Sequence, residues 1–150
     1  MKVQGIIVGK PAPDFEATTV DGRPFKLSNL RGKIVLLDFW ATWCAPCTAA
    51  LPTLKQAQEQ YGGAGLVIVG VTIDRTAEVA RKFVTDKQVG WTQVWAEKGT
   101  RGPLAERYGV TTVPATFLIA PDGNVLAKNP ETDALLTAVK DACERLRPAP

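Results

Sequence analysis

Cys44 and Cys47 are separated by two residues and directly follow a run, residues 34–40, that is apolar except for one aspartate. This spacing allows the two sulfur atoms to form and break a disulfide bond. The run predicts a buried strand and the residues after it predict a helix, which places Cys44 at a helix N-terminus. The partial positive charge there lowers the pKa of a thiol below its usual value of about 8.5. The pair therefore favours dithiol–disulfide exchange.

The two cysteines are expected to have different roles. Cys47 lies one helical turn after Cys44, on the face with Leu51, Leu54 and Ala57 that the spacing assigns to the core. Its thiol should stay protonated longer, so we expect Cys44 to attack a substrate disulfide and Cys47 to resolve the mixed disulfide. The alternatives are a structural cysteine pair or half of a zinc site, which the strand-to-helix position and the lack of a partner Cys/His pair disfavour.

Asp38 is the charged residue inside the apolar run. Burying an unpaired carboxylate is costly, so burial should raise its pKa. An extended strand can place Asp38 beneath the cysteine pair, where its carboxylate could take the proton from Cys47. The alternative is an aspartate turned to water at a frayed edge. Trp43, beside the pair, is expected to be about half exposed, whereas Cys143 is expected to be a small core residue.

Strands and helices alternate along the chain to position these residues. The predicted strands are residues 15–20, 24–27, 34–40, 66–73, 91–95, 116–120 and 124–128, with turn signals at 21–22 and 121–123. The predicted helices are residues 45–61 with a kink at Pro52, 76–87 capped by Thr76, 103–108 and 133–146. This order predicts an α/β sandwich with a mixed sheet, in a single domain of residues 1–150. Residues 1–8 and 147–150 are expected to be frayed.

The composition disfavours several classes of function. The net charge is +3, without a basic cluster, which gives no argument for nucleic-acid binding. Histidine is absent and cysteines number three, which disfavours Cys/His nucleophiles and most metal sites. We therefore expect no metal ion and no other cofactor. Residues 6–8 are too short an apolar patch for an export signal, so either the protein stays inside the cell or the signal has been removed from this chain.

Four segments of the chain strongly resemble the thioredoxin superfamily and its TlpA/ResA-like branch: residues 9–15, 27–33, 39–47 and 113–119, the last followed by 122–123. The resemblance covers residues 9–146. It implies a thioredoxin-like three-layer sandwich with a central mixed β-sheet and an N-terminal β-hairpin extension. It also implies an αβ insertion at about residues 76–95.

The same resemblance implies site residues. Pro114 matches the cis-proline that sits against the disulfide in this family, and the backbone of Val113 would then pair with a substrate strand. Asp38 matches the buried acid of thioredoxins. The expected catalytic residues are Cys44, Cys47 and Asp38, and the expected substrate-binding residues are Trp43, Ala45, Pro46, Val113 and Pro114.

The chain departs from the family pattern at several positions. Thr48 and Ala50 stand where many branch members have a basic residue and a glutamate, which puts any pH-gated specificity of those relatives in doubt. Gly70 stands where thioredoxins have a lysine facing the buried acid, so the pKa of Asp38 should be raised further. The dipeptide between the cysteines, residues 45–46, lacks the histidine of strong oxidants, and we therefore expect a reductant.

The resemblance further implies location and partners. We expect an extracytoplasmic protein of the periplasm or cell envelope, with the cytoplasm as the alternative. Its expected partners are disulfide-containing proteins, including apocytochromes c, and a thiol electron donor such as a membrane thiol-disulfide transporter. We expect a monomer that does not bind nucleic acid.

Three other functions are considered on the same fold. A peroxiredoxin-like thiol peroxidase would need a threonine where Cys44 stands and an arginine near Ala115. A metal-relay protein would typically use Cys-x-x-x-Cys and a distant histidine. A non-catalytic interaction module would have no need to keep the cysteine pair together with Asp38 and Pro114.

Overall fold

A mixed β-sheet forms the centre of the computed structural model, which describes residues 5–150. Its strands are β1 (Glu16–Thr19), β2 (Pro24–Lys26), β3 (Ile34–Trp40), β4 (Leu66–Thr72), β5 (Thr92–Trp95), β6 (Ala115–Ile119) and β7 (Val125–Lys128). Within the described residues they form one seven-stranded sheet in the order β2-β1-β5-β4-β3-β6-β7. β3, β4 and β5 are parallel, whereas β1 and β6 run antiparallel to β5 and β3. This topology confirms the predicted α/β class and mixed sheet.

The helices flank this sheet and connect its strands. They are α1 (Ala45–Ala49), α2 (Leu51–Tyr61), α3 (Ala77–Asp86), α4 (Pro103–Arg107) and α5 (Thr132–Leu146), with 3₁₀ turns at Leu27–Leu30, Gly62–Ala64 and Gly99–Arg101. Thr76 caps α3 by accepting a hydrogen bond from the Val79 N–H, as predicted. Among residues 5–150, every helix is too short or too polar to cross a lipid bilayer.

The helix predicted at residues 45–61 is divided in two. The division falls at Ala50, between α1 and α2, and Pro52 then occupies the first turn of α2. Proline lacks an N–H group and its ring collides with the carbonyl four residues earlier, so an unbroken helix cannot pass through this position. The predicted kink is therefore a break, and the new helix begins at Leu51, one residue before the proline.

Strand β3 is buried along its whole length, as the apolar run predicts. Alternate side chains enter two cores, one on each face of the sheet. Ile34 and Leu36 pack in the core that contains the buried residues of α2 and α5. Val35 and Leu37 pack in the core on the opposite face. A polar side chain in β3 is therefore buried whichever way it points.

The C-terminal segment, residues 147–150, which we expect to be frayed, makes contacts with the body of the domain. The Ala149 N–H donates a hydrogen bond of 2.8 Å to the Gly32 carbonyl. Pro148 is buried over Gly65, where a Cβ atom would lie 2.5 Å from the proline ring. The absence of a side chain at Gly65 thus provides the space in which the segment lies.

The N-terminal segment is also attached to the domain where it is described. Residues 1–4, half of the segment predicted to be frayed, lie outside the described residues. Ile6 is buried, and its carbonyl accepts a hydrogen bond of 2.9 Å from the Lys128 ammonium. Ile6 is therefore held against the domain by its burial and by this hydrogen bond.

Candidate active site

The Cys44–Cys47 disulfide lies where the sheet meets the first helix. The two Cα atoms are 5.2 Å apart and the sulfur atoms are bonded. Cys44 is the N-terminal cap of α1, and its sulfur accepts a hydrogen bond of 3.2 Å from the Cys47 N–H. Both features stabilise negative charge on the Cys44 sulfur, because unpaired N–H groups at a helix start attract anions. The predicted helix-terminal position of Cys44 is therefore confirmed.

Burial does not distinguish the two cysteines in the disulfide form. Cys44 is 5% exposed and Cys47 is 3% exposed. The surface beside them is open, because Trp43 is 67% exposed and Ala45 and Pro46 are exposed as well. The two sulfurs thus differ in their position relative to the helix start and not in burial, and the exposed neighbours supply a surface that another protein can contact.

Asp38 is buried in the middle of β3, with 7% of its surface exposed. Burial raises the pKa of its carboxyl from 3.8 to about 7, because the charged form loses its hydration. Within residues 5–150 no hydrogen-bond donor contacts this carboxyl to offset that loss. Alternation along the strand places Asp38 on the same sheet face as Leu36, the face covered by α2. The Asp38 carboxyl therefore titrates near neutral pH on the sheet face covered by α2, whereas Cys44 and Cys47 pack in the core cluster that contains Val35 and Leu37.

Gly70 is the direct neighbour of Asp38 on β4, where the resemblance placed the missing lysine. The volume above Gly70 is filled by the side chain of Gln93, whose Cδ would lie 2.6 Å from a Cβ atom at this position. The Gln93 Oε1 in turn accepts a hydrogen bond of 2.8 Å from the Trp40 indole N–H. A neutral amide therefore takes the space beside Gly70, and no cation faces Asp38 from this position.

The Val113–Pro114 peptide bond is cis, as the family resemblance implies. Val113 is half-buried and lines the same groove as Trp43. Directly after the proline, Ala115 begins β6 and pairs with Phe39 of β3. The loop before β6 and the loop that carries the cysteines are thus brought to the same end of the sheet.

The structure contains a buried polar cluster next to the cysteine loop that was not predicted from the sequence. Asp74 is 2% exposed, and its carboxylate accepts hydrogen bonds from the Thr42 N–H at 3.2 Å and the Thr42 hydroxyl at 2.8 Å. It also accepts a hydrogen bond of 2.5 Å from the Thr72 hydroxyl. Asp74 therefore ties the residue preceding Trp43 to the end of β4. The available signal was a second carboxylate placed directly after a buried apolar run.

The remaining predicted positions are ordinary structural residues in this molecule. The Thr48 hydroxyl donates a hydrogen bond of 3.1 Å to the Ala45 carbonyl, within the first turn of α1. Ala50 lies at the break between the two helices. Cys143 is a free cysteine buried in the core, as predicted, and burial raises the pKa of its thiol.

Comparisons with known proteins agree with this geometry. A family model described as the AhpC/TSA family matches residues 8–128. The thiol-disulfide oxidoreductase ResA of Bacillus thuringiensis is 34% identical over 125 residues, which cover 83% of this chain and 70% of the relative. ResA of Bacillus subtilis is 32% identical over 123 residues, which cover 82% of this chain and 67% of the relative.

Solved structures show the same fold. The thioredoxin domain of a thiol-disulfide oxidoreductase from Bacteroides vulgatus superposes with a TM-score of 0.84 at 28% identity, covering 91% of this chain and 98% of that one. A thiol:disulfide interchange protein from Bacteroides sp. has a TM-score of 0.83 at 27% identity, covering 94% and 93%. The predicted thioredoxin-like fold is confirmed, and so is the predicted thiol-disulfide oxidoreductase activity. The chain therefore belongs to the AhpC/TSA family and, within it, to the thiol-disulfide oxidoreductases of the ResA type.

Proposed function

We propose that the protein reduces disulfides in other proteins through a Cys44 mixed disulfide that Cys47 resolves. The Cys44 thiolate attacks one sulfur of the substrate disulfide, and the other substrate sulfur leaves as a thiolate. The Cys47 thiolate then attacks the Cys44 sulfur and releases the second substrate thiolate. The substrate gains two electrons and takes up two protons, and the enzyme is left with its own disulfide. The observation that carries this order of attack is the hydrogen bond from the Cys47 N–H to the Cys44 sulfur at the helix start.

The second step needs a proton acceptor, because Cys47 must lose its proton to attack. Asp38 suits this role, since burial raises its pKa to about 7 and its carboxyl has no hydrogen-bond partner among residues 5–150. A carboxyl that titrates near neutral pH takes up and releases protons under physiological conditions. This part of the proposal rests on the position of Asp38 beneath α2 and on its burial.

The substrate is proposed to pair with the backbone of Val113. Among residues 5–150, neither the N–H nor the carbonyl of Val113 has a hydrogen-bond partner. Free backbone groups beside a reactive disulfide suit an extended peptide that adds to them as a short strand. Trp43, Ala45 and Pro46 are exposed around the disulfide and would contact the same peptide.

Reduction rather than oxidation is proposed as the direction of the reaction. The residues between the cysteines, Ala45 and Pro46, carry no cation that would stabilise the thiolate form. Reduction potentials in this class of protein range from about −270 mV at the reducing end to about −120 mV at the oxidising end. We expect the potential of this protein to lie nearer the reducing end. A thiol electron donor and a location outside the cytoplasm stay predictions, as do apocytochromes c as substrates.

The test is the reduction of insulin by single-cysteine variants. Cys44→Ser should abolish turnover, whereas Cys47→Ser should accumulate a mixed disulfide with the substrate, detected by mass spectrometry. Cys143→Ser is the matched control, because its thiol is free and buried away from the pair, and it should keep its activity. Cys44→Ser with most of its activity retained would show that the order of attack is wrong.

A thiol peroxidase is a second candidate, because the AhpC/TSA model matches most of the chain. The site carries Cys44 where that chemistry needs a threonine, and Ala115 where it needs an arginine. Hydrogen peroxide consumption by the reduced protein, measured against free dithiothreitol, decides between the two candidates. A rate far above that of the free thiol would favour the peroxidase.

A further inference from the structure

An open groove of about 560 Å³ lies beside the disulfide. One side of it carries Trp43, the exposed residue that precedes Cys44, and another carries Val113, the residue that precedes the cis-proline. Two of the residues with which we propose that the substrate makes contact thus line the same groove. We call it the Trp43–Val113 groove.

Three cations line the Trp43–Val113 groove: Arg75, Lys98 and Arg101. All three are exposed. Among residues 5–150, none of them lies within ion-pair distance of a carboxylate, although three ion pairs form on other helices. Their charges are therefore available to a ligand that enters the groove.

Asp74 contributes the carboxylate in the lining of the groove. It is 2% exposed, and its oxygens accept hydrogen bonds from Thr42 and Thr72. The carboxylate therefore faces the protein interior, whereas the three cations face the groove. The sum of charges along the lining remains positive.

The loop that carries two of these cations is closely packed. Lys98 and Gly99 both adopt a left-handed backbone conformation, with φ of +67° and +55°. A Cβ atom at Gly99 would lie 3.1 Å from the Ile73 carbonyl oxygen. The Arg101 N–H donates a hydrogen bond of 3.1 Å to the Lys98 carbonyl, which closes a 3₁₀ turn. The backbone from which the Lys98 and Arg101 side chains extend is thus held in place at the groove.

We propose that the Trp43–Val113 groove binds an extended protein segment that carries Asp or Glu side chains next to the disulfide to be reduced. Trp43 and the free backbone of Val113 hold the segment beside Cys44, and Arg75, Lys98 and Arg101 attract its carboxylates. This inference rests on the proposed reductase function and adds the chemical class of its substrate. Charge complementarity of this kind selects among partners and speeds their encounter.

The test compares two synthetic peptides that carry the same disulfide, flanked by Glu in one and by Gln in the other. The reduced wild-type protein should reduce the Glu peptide with a kcat/KM roughly tenfold higher at low salt, because three exposed cations each add a modest attraction. The ratio should fall toward one at 1 M salt, where the screening length is about 3 Å. This measurement uses the unaltered protein, so it does not depend on the folding of a variant.

The variant arm replaces all three groove cations, as Arg75→Gln, Lys98→Gln and Arg101→Gln together. The Glu-to-Gln ratio should then fall to about one. The matched control changes the net charge equally at exposed cations outside the groove, as Lys10→Gln, Arg23→Gln and Lys140→Gln, and should keep the wild-type ratio. Circular dichroism of both triple variants checks that they are folded.

Binding is measured separately from reduction. Versions of the two peptides with Ser in place of Cys are titrated into the oxidised protein while tryptophan fluorescence is followed. Tighter binding of the Glu version, lost in the groove variant, supports the groove; equal binding of the two versions overturns it. An equal loss in the groove variant and the charge control also overturns it, because that result reports net charge alone. Selective binding without reduction of either disulfide peptide would instead overturn the proposed function and leave the groove in place.

Discussion

Replacing Asp38 with asparagine tests whether a buried carboxyl limits both the stability and the chemistry of this protein. The pKa of Asp38 is about 7 in the folded protein and 3.8 in the unfolded chain. Because the folded-state pKa is the higher of the two, the folded state binds the proton more tightly. Below pH 3.8 Asp38 is protonated in both states, and the unfolding free energy has its full value. The unfolding free energy falls as the pH rises from 3.8 to about 7, and Asp38 changes it little above that.

The size of this effect follows from the shift in pKa. A shift of about three units, at 1.36 kcal/mol for each unit, amounts to about 4 kcal/mol over the full range. Between pH 5 and pH 8 the expected part of this loss is about 3 kcal/mol. The asparagine side chain of the Asp38→Asn variant cannot ionise, so the variant should not show this loss.

The assay is urea unfolding of the oxidised wild-type and Asp38→Asn proteins at pH 5 and pH 8. The oxidised form is used because a disulfide removes both cysteines from the titration. The unfolding free energy of Asp38→Asn minus that of the wild type should increase by about 3 kcal/mol from pH 5 to pH 8. Asp21→Asn, at an exposed turn between β1 and β2, is the control and should show no such change.

The same variant should turn over insulin more slowly near neutral pH, because Cys47 loses its proton acceptor. A difference in stability that is the same at pH 5 and pH 8 would refute the argument that burial raises the pKa of Asp38. An unchanged rate of turnover would remove Asp38 from the mechanism, whatever its pKa.

Two further substitutions test the scaffold around the site. Asp74→Ala leaves the Thr42 N–H and hydroxyl without their buried acceptor. It should therefore lower the unfolding free energy by about 2–3 kcal/mol and weaken peptide binding at Trp43. Unchanged urea unfolding would contradict this. Gly70→Ala forces Gln93 to move, so it should lower the unfolding free energy by about 1–3 kcal/mol, whereas Gly63→Ala, where a Cβ atom meets open space, should have little effect. Equal stability of the two glycine variants would show that Gln93 has room to shift.

Local patterns in the sequence were sufficient for most of the framework. The apolar run of β3, the turn at residues 121–123 and the proline in the first turn of α4 each depend on a few neighbouring residues, and all were predicted. The cysteine pair was found for the same reason, since its spacing and its place before a helix are both local. The cis bond at Pro114 came from family resemblance, because a pattern of residues alone does not distinguish cis from trans.

Features made by residues far apart in the chain were decided by the tertiary structure. The tail at residues 147–150 packs against Gly65, and Asp74 reaches back to Thr42, but neither pairing leaves a periodic signal in the sequence. The cations of the Trp43–Val113 groove likewise come from separate loops, brought together by the order of the strands. The sequence by itself determined the reactive pair and the elements around it, because backbone propensity and burial act over short distances. Folding alone determined which charges and hydrogen bonds surround that pair, because those contacts depend on how distant segments pack.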